Sequence, residues 1–212
     1  MMNGMHFGNI HSYYDLNLVL SEVSIPPATA KTNFVDIPGA DGSVDLTEAL
    51  GEVKYNDREC RFAFTVFPYE DFEVKKREVS NLLNGRRVKI IVDKDPDYYW
   101  DGRCSIDEYM SDKNLHKIVV GAVVAPYKLK HDVTKVVVNA GTEVAKTLQN
   151  SRKTVIPTIT CAAETTIIFN GNTFTFNAGT HKNLGITLVE GDNPVTVTST
   201  DTVSFTYQEG DL

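Results

Sequence analysis

Apolar positions in the first part of the chain alternate with period two, then with period 3.6, then with period two again. "NLVLSEVSI" reads as a strand. In "ECRFAFTVF", Cys60, Phe62, Phe64 and Val66 alternate with Arg61, Ala63, Thr65 and Phe67, a half-buried strand rich in aromatic and β-branched residues. The following "YEDFEVKKREVSNLLNG" places Phe72, Lys75 or Lys76, Val79, Leu82 and Leu83 on one stripe. Acids stand in its first turn and Gly85 lies past its end, so it predicts a helix. "RRVKIIVD" restarts a strand, and "YYWDGRCSIDEYM" and "LHKIVVGAVVAPY" are two longer strands joined by "SDKN". Strands, one helix and a hairpin make an α+β domain.

Past residue 130 charge thins out and Thr and Val take over. "DVTKVVVN", "VIPTITCA", "TTIIFN", "NTFTFN", "GITLVE", "PVTVTS" and "VSFTYQ" read as short strands, with turns at "NGN", "NAGTHKN" and "EGDNP". "FNGNTF" is the sharpest hairpin signal, because Asn-Gly suits a type I′ turn. The expected organisation is an α+β domain over residues 1–130 and a β-sandwich over 131–212, with "APYKLKHD" as the junction. The whole chain is then mainly β with one helix.

Charge narrows the function classes. The formal net charge is −7 with a pI near 5.2, which argues against a general nucleic-acid binder. No run of 18 apolar residues is present, so no membrane span is expected, and the first residues lack the pattern of a signal peptide. Cys60, Cys104 and Cys161 are far apart and odd in number, which suits buried free thiols.

No catalytic, cofactor or metal site emerges. "DIPGADGSVDLTEALG" lacks the Lys-Ser/Thr of a phosphate loop, and its acids would repel phosphate. Gly39 and Gly42 are turn residues there, expected at positive φ. Asp93, Asp95 and Asp97 have the spacing that opens an EF-hand, but Tyr98 stands where Gly is needed and Cys104 where Glu is needed. A looser divalent site there, or among Asp36, Asp41 and Asp45, is weighed against a solvated acidic loop. The five histidines show no metal spacing. A Cys60–His116 or Cys104–His116 dyad depends on the fold. Phe174 and Phe176 share one strand face, as a sugar platform or as core. Leu46, Ala49 and Leu50 present apolar groups on a polar segment. They are the candidate oligomer interface, the alternative being that they pack on their own domain.

The order of these segments adds a resemblance. "FGNIHSYYDLNLVL", then "VDIPGADGSVDLTEALGEVKYNDRECRFAFTV", then a helix ending "LLNGRRVKIIVDKDPDYYWDGR", a Thr/Val-rich region and a final "VEGDNPVTVTSTDTVSFTYQEGDL" together resemble the distal tail protein (Dit) family of phages with long non-contractile tails. The resemblance spans nearly the whole chain. It implies a structural, non-enzymatic protein of the virion tail tip, assembled in the host cytoplasm, without cofactor or membrane. It implies a hexameric ring built by the N-terminal domain, with a galectin-like β-sandwich outside and a channel through which DNA passes without specific binding. The implied partners are the tail tube protein, the tape-measure protein, the tail-associated lysin or tail-tip hub protein, and in many members a receptor-binding protein. A carbohydrate-binding host-adhesion protein is the alternative.

Overall fold

The computed structural model describes residues 4–49, 51–67, 70–112 and 115–212. The chain divides into two compact units, residues 1–128 and 129–212. The first contains β1 (Met5–Phe7), β2 (Ile10–His11), β3 (Leu18–Ser24), β4 (Phe34–Asp36), β5 (Ser43–Asp45), β6 (Arg58–Val66), α1 (Phe72–Leu83), β7 (Arg87–Val92), β8 (Tyr98–Ser111) and β9 (His116–Val124). Seven of these strands form a sheet in the order β2-β1-β7-β8-β9-β6-β3, while β4 and β5 pair only with each other. The alternation read from "ECRFAFTVF" has its cause here. Phe62 and Phe64 face a core with Leu18, Ile90, Ile118 and Val120, and α1 closes that core with Val79 and Leu83.

Helix α1 starts and stops for local reasons. The Asp71 carboxylate accepts the Glu73 and Val74 N–H groups at 2.9 and 3.1 Å. At the other end Gly85 takes φ 75°. The stripe read from sequence left Lys75 and Lys76 as alternatives, and the structure selects Lys75, buried with Val79 and Leu83. Its aliphatic stem lies on the core side, and its ammonium meets Glu78 at 2.7 Å and Glu70 at 3.6 Å.

β10 (Lys128–Lys130) spans the junction. The second unit holds β11 (Thr134–Val138), β12 (Gly141–Asn150), β13 (Thr158–Cys161), β14 (Thr165–Phe169), β15 (Asn172–Phe176), β16 (Gly179–His181), β17 (Gly191–Ser199), β18 (Val203–Tyr207) and β19 (Gly210–Asp211). Two four-stranded antiparallel sheets, β11-β18-β13-β16 and β12-β17-β14-β15, enclose a core of Leu148, Ile159, Ile167, Val197 and Phe205, among others. This is the expected β-sandwich. The Asn170-Gly171 turn between β14 and β15 has φ 49° and 75°, as a type I′ hairpin requires.

The strand readings in this unit need four corrections. "EGDNP" is not a turn, since β17 already begins at Gly191 and pairs with β12 from there. "GITLVE" is not a strand. It makes only an isolated bridge between Leu188 and Val155, yet Ile186 and Leu188 are fully buried and plug the core. The ten-residue β12 was missed because it is an edge strand burying only Leu148 and Asn150, so its sequence lacks alternation. "NAGTHKN" is not all turn, since it contains the edge strand β16.

Glu209, from the C-terminal "YQEGDL", ties this unit together. Its carboxylate accepts the Thr134 hydroxyl, the Ser151 hydroxyl at 3.0 Å and the Lys130 ammonium at 3.2 Å. Burial pushes its pKa up, but these hydrogen bonds and the Lys130 charge outweigh it and hold the carboxyl below the ordinary 4.5. Its contribution is therefore complete above about pH 4.5 and is lost as pH falls and the folded-state carboxylate is protonated. Glu209→Ala is expected to cost roughly 2–3 kcal/mol at neutral pH. Urea unfolding at pH 7 and pH 3 checks this, with a smaller difference between variant and parent at pH 3.

Candidate functional site

Between β3 and β6 the chain leaves both cores. Among the described residues of 26–57 none is buried. The segment runs out and back as an antiparallel ribbon. The Lys31 N–H reaches Lys54 O at 2.7 Å, the Leu46 N–H reaches Asn33 O at 2.7 Å, and Val35 pairs with Val44. Because residues two apart share a face, Val35, Ile37, Val44 and Leu46 lie on one side of the ribbon. They are 42, 50, 43 and 39% exposed, and Phe34 on the other side is 58% exposed. A two-stranded ribbon with no sheet or helix behind it is marginally stable in water. Its apolar side chains are available to a partner.

The interface and turn candidates read from the sequence fall in this segment. Gly39 and Gly42, at its tip, have φ 86° and 75°. A Cβ added at either would meet nothing within 4 Å, so only the backbone turn demands glycine there. Leu46 and Ala49 are exposed rather than packed on their own domain. Leu50 lies outside the described residues. Asp36 accepts the Ser43 hydroxyl at 2.5 Å, and Asp45 accepts the Thr47 N–H at 2.9 Å. Asp36, Asp41 and Asp45 form no metal-ligand cluster among the described residues.

The loop of Asp93, Asp95 and Asp97 also scatters its acids. Asp95 pairs with Lys128 at 2.7 Å, while Asp93 turns to His11. That second contact builds a constellation with no counterpart in sequence spacing. The β1–β2 hairpin sets His6 beside His11, and the pairing of β1 with β7 brings up Asp93. Potential ligand atoms of His6, His11 and Asp93 lie within 4.8 Å of one another. The hydrogen bonds nevertheless fix His11 in the wrong form for a metal. Its Nδ1 accepts the N–H groups of both Tyr13 and Tyr14 at 3.1 Å. The proton therefore sits on Nε2, which donates to Asp93 at 3.2 Å. A zinc ion needs a bare nitrogen, and freeing Nε2 would put a proton on Nδ1 against two N–H donors. The cluster is a structural clasp. It fastens β1 and β2 to the end of β7, and Gly4 makes room, since a Cβ there would sit 2.4 Å from His11 Cε1.

The remaining chemistry is inert. Cys60 and Cys104 both pair across strands with Ala122, one on each side. Two strand spacings separate their Cα atoms by roughly 9–10 Å, too far for a disulfide. Burial pushes both thiols up to about 11. His116 pairs with Val66, six residues along β6 from Cys60, or about 20 Å. It stacks on Phe72 instead, so the Cys–His dyad does not form. Phe176 belongs to the sandwich core and Phe174 packs against it, which removes the aromatic sugar platform. Arg58, at the root of the arm, is buried, with only its Nη1 bonded, to Pro26 O at 3.4 Å.

No family model and no curated protein matches the sequence. The structure does have a counterpart. It is similar to the crystal structure of the SPP1 Dit protein, a paradigm of the hub adsorption apparatus in phages that infect Gram-positive bacteria. The TM-score is 0.72 at 18% sequence identity, and the match covers 100% of both chains. The chain has the Dit fold. Both units take part in the match, and no helix among the described residues is long and apolar enough to cross a membrane.

The clasp gives a direct test. A molar excess of zinc is expected to leave the melting temperature unchanged. His11→Ala is expected to lose about 1–3 kcal/mol, because Asp93 and two N–H groups lose their partner. Calorimetry with and without zinc measures both.

Proposed function

We propose that this protein is a phage tail-tip component that joins the tail tube to the host-adsorption apparatus. The observation that carries the reading is the Dit fold shared over the full length of both chains. The finer picture is that six copies close into a ring through their first units, leaving a channel for DNA, with the β-sandwich on the outside. The tail tube protein, the tape-measure protein and a tail-associated lysin or hub protein are the expected neighbours, and a receptor-binding protein docks in some arrangements. The role is structural and calls for no catalytic group.

The exposed arm supports the ring. A contact between unlike patches on successive copies closes a ring when the rotation closes, and an arm that reaches beyond its own core supplies one of the patches. The contact includes Leu46 and Ala49, with Leu50 beside them in sequence. The net charge of −7 favours passage of DNA without sticking.

Sedimentation of the purified protein, alone and with its tail partners, tests the ring. A species near six subunits is expected. Leu46→Asp combined with Val44→Asp is expected to abolish it while leaving the melting temperature of the monomer within a few degrees, because both side chains are exposed. A parent protein that stays monomeric with its partners present overturns the ring.

A further inference from the structure

One face of the β-sandwich stands apart from the rest of this acidic molecule. In the sheet β11-β18-β13-β16 the inward positions are apolar, and the outward positions form two rows across the strands. The register sets Lys135 opposite Thr206, and Thr206 opposite Thr158. Lys182 follows one residue after the Ile159–His181 pair, so it ends that row. The next row is Val137, Ser204, Thr160 and Thr180. Five hydroxyls thus lie on a flat surface with a lysine at each end of one row and no carboxylate on any outward position of these strands.

At the lysine row the surface dips into a groove of about 480 Å³, lined by Lys153, Thr154, Thr158, Lys182, Thr206 and Gln208 among others. Lys130 and Arg152 of this unit are neutralised internally, by Glu209 and by Glu190, whereas Lys146 lies on β12 of the other sheet. Among the described residues Lys135, Lys153 and Lys182 have no carboxylate partner, and the Thr158 and Thr206 hydroxyls have no hydrogen-bond partner. Lys153 and Lys182 line the groove with the open Thr158 and Thr206 hydroxyls, Lys135 stands at the far end of the row, and Gln208, whose Nε2 donates to Lys130 O, offers its Oε1. Together they make a site for a ligand that carries both negative charge and hydroxyl groups. It has no exposed aromatic ring on which to stack a neutral sugar or a base.

We propose that this face binds an anionic polyol, a polymer of hydroxyl-bearing units with phosphate or carboxylate groups. The lysines attract the charge, and Thr158, Thr206 and Gln208 bond the hydroxyls between charges. Strands about 4.8 Å apart place Lys135 and Lys182 roughly 14 Å apart at their Cα atoms, so a chain lying across the sheet meets a cation at each end of the hydroxyl row. The site is independent of the ring, since it lies wholly within the second unit. In a tail-tip protein it would give the sandwich a direct contact with a charged surface polymer of the host.

Calorimetric titration of the full chain with poly(glycerol phosphate) and with polygalacturonate tests the proposal and tells the phosphate source from the carboxylate source. Neutral dextran, polyglutamate and a short DNA duplex are the controls. Binding to at least one of the first two is expected, weakening as salt is raised. Lys135→Glu with Lys182→Glu is expected to weaken it about tenfold or more. Thr158→Val with Thr206→Val, which keeps strand propensity, is expected to weaken it as well. The ring-breaking Leu46→Asp/Val44→Asp variant is expected to bind as the parent does, so failure of the ring and failure of this site are separable. Three results overturn the proposal: no binding to either polymer, equal binding of polyglutamate or DNA, or no effect of the lysine or threonine pairs.

Discussion

Each large sheet in this protein has to cover an apolar face, and the two units solve that problem with different material. The first lays α1 over Phe62, Phe64 and their neighbours. The second folds one sheet onto another, Phe205 and Ile159 from one against Ile167 and Val197 from the other. Burial of these side chains is the main favourable term in each unit. Once both cores are closed, the arm of residues 26–57 is what remains outside them. Its Val35, Ile37, Val44 and Leu46 are left exposed to solvent.

Polar groups then decide how rigid each unit is. The Asp71 cap starts the helix, the His11–Asp93 clasp pins the first hairpin, and Glu209 gathers three donors in the sandwich. Each is a carboxylate or imidazole held by several hydrogen-bond partners at once. Such groups imitate catalytic or metal-binding arrangements when only their identities are considered. The tautomer forced on His11 by two backbone N–H groups separates a clasp from a metal site. The same reasoning runs in reverse on the outer face of the sandwich, where Lys135, Lys182, Thr158 and Thr206 lack internal partners, while the Thr160 and Thr180 hydroxyls bond each other.

Much of this was legible in the sequence. Period two in "ECRFAFTVF" and the stripe of Phe72, Val79 and Leu83 fixed a strand and a helix, because backbone geometry alone sets which residues share a face. The positive φ at Gly39, Gly42 and Gly171 followed from glycine chemistry in the same way. The missed β12 and the over-read "GITLVE" mark the limit. An edge strand buries too few side chains to impose alternation, and a buried loop can be as apolar as a strand.

Sequence by itself determined the strongly periodic elements, the change in character near residue 130 and the lack of any spaced catalytic motif, since these depend on neighbours along the chain. Tertiary structure alone decided the rest. It set His11 against Asp93 across 82 residues, kept Cys60 and Cys104 on opposite sides of Ala122, and left Leu46 in solvent. It also aligned Lys135, Thr206, Thr158 and Lys182 from separate strands into one row. Strand register is fixed by which faces the cores must bury, and that is a property of the whole fold.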